Sequence, residues 1–135
     1  MSQLQKAYRK GVKVSERHGA GEWTAERLSA LILVPLSLWG LWSAATVSGG
    51  GYDAAFAWFS SWINSGLLIV TLLISLWHMN MGLKVIVDDY LHKPVTRTTV
   101  LGLIGLVCIL LAAGCVFFIV RLALGSAPLP AGFGA

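Results

Sequence analysis

Three stretches of the chain are apolar almost without interruption, at residues 28–47, 66–87 and 100–120. Each is close to the ~20 residues that a helix rising ~1.5 Å per residue needs to cross ~30 Å of hydrocarbon. Turn chemistry separates them. Ser48-Gly49-Gly50-Gly51 follows the first, and Asp88-Asp89-Tyr90-Leu91-His92-Lys93-Pro94 follows the second, where Pro94 cannot continue a helical ladder. A helix running unbroken from Asp53 to Tyr90 would be about 57 Å long, nearly twice the membrane, so the chain has to bend within it. Asn64-Ser65-Gly66 is the expected cap, which leaves Phe56, Trp58, Phe59 and Trp62 as an aromatic segment in the interface. The residues after Leu124 have no periodicity and are expected to form a loose tail over 125–135. The fold class is therefore all-α: one integral membrane domain over 1–135, with three transmembrane helices behind a basic tail at 1–27.

Composition agrees. Of 135 residues 56% are apolar and 12% charged, about half the charge of an ordinary soluble domain, which excludes disorder and disfavours a soluble single-core fold. Mean hydropathy is +0.74. The 15 glycines suit helices packed closely in lipid, and two cysteines exclude a disulfide framework. Cys108 and Cys115 share a helix face about 10 Å apart along it, too far for a bridge, and read as small hydrophobes.

The net charge of +4 matters less than its placement. Five of the ten basic residues (Lys6, Arg9, Lys10, Lys13, Arg17) precede any apolar stretch, in no aromatic-interleaved patch, so they signal topology and not nucleic-acid binding. The apolar segment behind them is too long for a secretory signal core. Lys93 and Arg97, with Lys84 within snorkelling reach, make the second loop basic, whereas residues 48–65 hold no Lys or Arg. The N-terminus is expected in the cytoplasm and the C-terminus in the periplasm. Three spans leave no inverted repeat of the transporter kind.

Ionisable residues in or beside the spans carry the candidate chemistry, because a polar side chain in hydrocarbon has to offset its desolvation. His78 falls about 15 Å from either end of its span, at the midplane. It is either a packed histidine bonded to a neighbouring helix or a metal ligand whose free ring nitrogen binds haem iron. Gly82, Val85 and Asp89 share its face. Gly82, one turn away, either leaves room for a flat macrocycle or marks a close helix contact. Arg27 suits a carboxylate such as a haem propionate, or is a topology charge. Tyr90 can donate to a quinone carbonyl, or is a belt anchor. Asp88 and Asp89 are a polar helix end or a proton relay. Met79 and Met81 read as packing, Pro35 as a kink, Trp42, Trp58 and Trp62 as an outer aromatic belt, and Trp23 as its inner counterpart.

His78-Met79-Asn80-Met81-Gly82 followed by Asp89-Tyr90, eleven and twelve residues after the histidine, resembles the H-x-x-x-G and D-Y signature of the hydrophobic membrane anchor D subunits of succinate dehydrogenase, respiratory complex II. Trp23 to Ala30, with Arg27, Ser29 and Ala30, is similar to the motif opening their first helix, although Glu26 replaces Gln or an apolar residue and Ser29 replaces Thr. The Ser-Ile-x-His-Arg motif of the companion C subunits is absent. The resemblance spans essentially the whole chain. It implies an anchor that is not catalytic alone and sits in the bacterial inner membrane, in electron transport and the tricarboxylic acid cycle. It also implies a flavoprotein subunit, an iron–sulfur subunit and a cytochrome b C subunit as partners. His78 would be one axial ligand of a haem b shared with the C subunit, Arg27 would neutralise a propionate, Tyr90 would bind ubiquinone, and Asp89 is a candidate for proton entry.

Two other classes remain. A cytochrome b anchor of another dehydrogenase, such as a formate dehydrogenase or hydrogenase, usually has four spans and both haem ligands in one chain. A small non-redox interaction or transport protein would be expected to carry a midspan acid, and spans one and three hold none.

Overall fold

The computed structural model describes the backbone of residues 3–125 and the side chains of residues 20–125. Within these limits there are four helices and no strand: α1 (Gln3–Ser48), α2 (Gly51–Ser60), α3 (Trp62–Tyr90) and α4 (Pro94–Ala123). Ala20–Ser48 of α1, all of α3 and all of α4 are each long and apolar enough to cross a membrane. The all-α, three-span architecture is the one the hydrophobic pattern predicts. The loose tail expected at 125–135 lies, from residue 126 on, outside the described residues.

The helices extend past the apolar stretches at both ends, because the backbone ladder does not stop where hydrocarbon stops. Local chemistry ends it instead. Pro94, expected to break a helix, stands in the first turn of α4, where its missing N–H costs nothing and its fixed φ favours the helix. The link between α3 and α4 is therefore only residues 91–93, and Arg97 belongs to α4. The basic tail is helical from Gln3 onward and continuous with the first span. Pro35 lies inside α1.

Glycine is required where α1 turns into α2. Gly51 has a φ of +64°, and a Cβ on Gly50 would come within 2.3 Å of the Ala54 Cβ. The next break falls at Ser61, not at residues 64–66. Ser61 is extended, with φ −77° and ψ 112°, and its N–H bonds the Trp58 carbonyl at 3.3 Å. Asn64 and Ser65 do cap a helix, but the one before them. Asn64 Nδ2 donates to the Trp58 carbonyl at 3.4 Å and Ser65 Oγ to the Phe59 carbonyl at 2.6 Å. Ser65 thus serves an acceptor at the C-terminus of α2, and Asn64 shares the Trp58 carbonyl with the Ser61 N–H. Trp58 also stacks on Trp39 of α1, ring centroids 5.9 Å apart, so the aromatic segment is tied to the first span.

The third helix is the centre of the bundle: it packs against α1, α2 and α4, while α1 and α4 make no contact among the described residues. The seam of α1 runs through Ser29, Leu33, Leu36, Gly40, Ser43 and Val47, and that of α4 through Leu101, Ile104, Cys108, Ala112, Cys115 and Ile119. Both cysteines are free and sit in packing positions. Close approach is made by serines: Ser29, Ser43 and Ser65 are all buried. The span glycines do not serve that purpose within this chain, since a Cβ on Gly40, Gly66, Gly82, Gly102, Gly105 or Gly114 would meet nothing within 4 Å. Large apolar side chains such as Leu31, Leu41, Ile109 and Phe117 are exposed, leaving broad faces for lipid or further helices.

Candidate functional site

His78 stands near the middle of α3, turned toward α1. Its Nδ1 lies 2.9 Å from Ser29 Oγ, and the same hydroxyl is 2.8 Å from the Glu26 carbonyl one turn earlier in α1. Ser29 is only 1% exposed. Among the described residues this is the sole hydrogen bond between uncharged side chains. Both readings of His78 thus meet at one residue: it is bonded to a neighbouring helix, and one ring nitrogen remains for another partner.

The residues fit a haem iron on that second nitrogen. Nδ1 is taken by Ser29, and Nε2 is the nitrogen left to bind. Gly82 has open space where a Cβ would stand, so the close helix contact considered for it has no neighbour in this chain. Among the described residues no group of three or more His, Cys, Asp or Glu could hold a metal ion. Met79 is exposed, and Met81 lines a cleft toward α1, so neither is set opposite His78.

That cleft, of about 630 Å³, lies between α1 and α3 below the histidine and is bordered by Glu22, Glu26, Asn80, Lys84 and Asp88, with Trp23 and Trp77 as apolar walls. Lys84 pairs with Glu22 across it, linking the two helices. Arg97 Nε lies 2.6 Å from Asp88 Oδ1. The charges read from the sequence as topology signals are thus partly engaged in pairs. The signal for Lys84 was available, because Lys84 and Glu22 flank spans that run in opposite directions and must meet at the same end.

Other site candidates are more dispersed. Arg27 is exposed, with its guanidinium 4.5 Å from the centroid of the Trp23 ring. Two residues from Ser29 is a rotation of about 200°, so Arg27 stands on the side of α1 turned away from α3, and this chain does not bring it to His78. Tyr90 ends α3 and is 78% exposed, its hydroxyl open to a ligand or partner. Asp89 is exposed and, among the described residues, has no side-chain partner, unlike Asp88. Sequence reasoning missed the role of Ser29. A signal was available: Ser29 lies seven residues after Glu22, which puts both on one face of α1.

Three apolar spans, with one histidine near the middle of the central helix and most of the described charges at one end, define a multi-pass membrane anchor. Residues 3–120 match the family described as succinate dehydrogenase/fumarate reductase transmembrane subunit, and the chain belongs to that family. It is 29% identical over 96 residues to the succinate dehydrogenase hydrophobic membrane anchor subunit of Rickettsia typhi, covering 71% of this chain and 77% of that one. It is 30% identical over 99 residues to the succinate dehydrogenase membrane anchor subunit of Reclinomonas americana, covering 71% and 82%. The corresponding anchor subunit of Rickettsia conorii is 27% identical, with coverage of 70% and 76%. No solved structure gives a significant match.

Proposed function

We propose that this chain is the membrane-anchor subunit of a succinate:ubiquinone oxidoreductase in the bacterial inner membrane. It holds a flavoprotein and an iron–sulfur subunit at the cytoplasmic face, shares a haem b with a cytochrome b C subunit, and forms part of the ubiquinone-reduction site. The observation that carries the haem assignment is the hydrogen bond between His78 and buried Ser29, which leaves one imidazole nitrogen for iron one turn from the open position of Gly82. A second histidine has to come from the partner chain, since bis-histidine ligation needs two. Haem b, when bound, supplies reversible one-electron chemistry within the membrane.

The remaining residues work at the charged end. Tyr90 donates a hydrogen bond from its hydroxyl to a ubiquinone carbonyl and so orients the ring. Reduction of ubiquinone consumes two electrons and two protons, and Asp89, exposed beside Tyr90, passes protons from the cytoplasm. Arg27 would hold a haem propionate, its guanidinium being uncommitted to any carboxylate of this chain among the described residues. Glu22, Lys84, Asp88 and Arg97 fasten the same end of the bundle against which the soluble subunits dock. The N-terminus lies on that side, in keeping with its five basic residues in the first 17 positions.

Purification of the membrane complex through this chain tests the assignment. Succinate-dependent reduction of ubiquinone should co-purify with flavin, iron–sulfur centres and a b-type haem. Recovery of the chain in a complex that does not oxidise succinate contradicts it.

A further inference from the structure

We propose that Ser29 is the positioning residue for His78: its hydroxyl oxygen accepts the Nδ1 proton, fixes the imidazole tautomer and aims the Nε2 lone pair at iron. This rests on His78 as a haem ligand and adds the residue of the first span that makes it one.

A hydroxyl carries one proton and two acceptor lone pairs. Two acceptors lie within reach of Ser29 Oγ, the Glu26 carbonyl at 2.8 Å and His78 Nδ1 at 2.9 Å, and one proton can serve only one of them. If it went to Nδ1, the ring proton would sit on Nε2, within an apolar span and with no acceptor among the described residues. An unpaired donor there is costly. If it goes to the Glu26 carbonyl, Nδ1–H donates to Oγ, the carbonyl gains a donor, and Nε2 is left as a bare lone pair. Every polar hydrogen is then satisfied, and the unprotonated nitrogen is the one that can bind a metal.

Burial makes the arrangement persistent. Ser29 is 1% exposed and lies on the seam where α1 meets α3, so water does not compete for either bond. Packing of two spans therefore sets both the tautomer and the ring's rotation. A donated Nδ1 hydrogen bond also raises the basicity of the ligating nitrogen, which stabilises ferric over ferrous iron.

The test uses the assembled complex with wild-type chain and with Ser29→Ala, Ser29→Thr, Ser29→Cys and His78→Ala. The readouts are haem per flavin, the midpoint potential of the haem and its low-spin ferric EPR signal. Ser29→Ala should weaken haem retention roughly tenfold or more, move the midpoint to a more positive value and displace the EPR signal. Ser29→Thr keeps the hydroxyl and should match wild type. Ser29→Cys is close in size but a poor acceptor, so it should follow Ser29→Ala and serves where the alanine variant does not assemble. Wild-type haem content, potential and EPR signal in both Ser29→Ala and Ser29→Cys overturn the role of Ser29, and if His78→Ala lacks haem the ligand assignment still stands. Equal displacement by Ser29→Thr and Ser29→Ala overturns it too, since packing and not the hydroxyl would be responsible. Haem retained in His78→Ala overturns the ligand assignment itself.

Discussion

Arg97 Nε holds Asp88 Oδ1 at 2.6 Å and ties the end of α3 to the start of α4 across residues 91–93. The pair separates two adjacent carboxylates that the sequence presents as equivalent. Asp88 is engaged, and Asp89 is exposed and, among the described residues, without a side-chain partner. Asp89→Asn should lower succinate:ubiquinone turnover roughly tenfold or more, because positioned proton donors contribute ~10²–10⁴. Asp88→Asn should stay within about twofold, as exposed ion pairs contribute little. Turnover measured across a wide pH range in membranes carrying each variant checks this, and wild-type rates for Asp89→Asn remove it from the proton path.

Tyr90→Phe separates binding from folding. The side chain is 78% exposed, so its hydroxyl supports no buried contact in this chain. Loss of one hydrogen bond of ~1 kcal/mol to the quinone corresponds to about fivefold in KM. Thermal stability of the complex should not change. A KM equal to wild type excludes the phenol as a quinone contact.

Gly82 offers a way to block the haem face without disturbing the span. A Cβ there meets nothing within 4 Å, so Gly82→Leu should insert into the membrane at wild-type levels. Haem content of the purified complex should fall severalfold, because a branched side chain occupies the space beside the ligand. Full haem occupancy in this variant, measured by pyridine haemochrome, places the macrocycle elsewhere.

The Glu22–Lys84 pair crosses from α1 to α3 at the charged end, with both side chains more than a third exposed. A double-mutant cycle with Glu22→Gln and Lys84→Met, read by thermal unfolding of the complex, should give a coupling below ~1 kcal/mol that shrinks as salt is raised. A larger, salt-insensitive coupling means that partner subunits bury the pair.

The spans were legible in the sequence because ~20 apolar residues in a row have few other uses. Their ends were not, since capping and not hydropathy decides where a helix stops: Pro94 starts α4, and Asn64 and Ser65 reach back to α2 instead of opening α3. His78 stood out as the one ionisable side chain at mid-depth. Ser29 did not, because a single serine in a leucine-rich span carries no sign of its partner, which is 49 positions away. Likewise the abundance of glycine implied close helix contacts, yet the buried small polar residues are serines, and a Cβ on any of the span glycines would meet nothing within 4 Å.

The claim on which the site depends is that His78 binds haem iron. A reduced-minus-oxidised optical spectrum of the complex, wild type beside His78→Ala, tests it most directly. Wild-type complex should show a b-type α-band that is lost in His78→Ala. A band that survives the substitution, or no haem band at all in a wild-type complex that lacks succinate-linked quinone reduction, contradicts it.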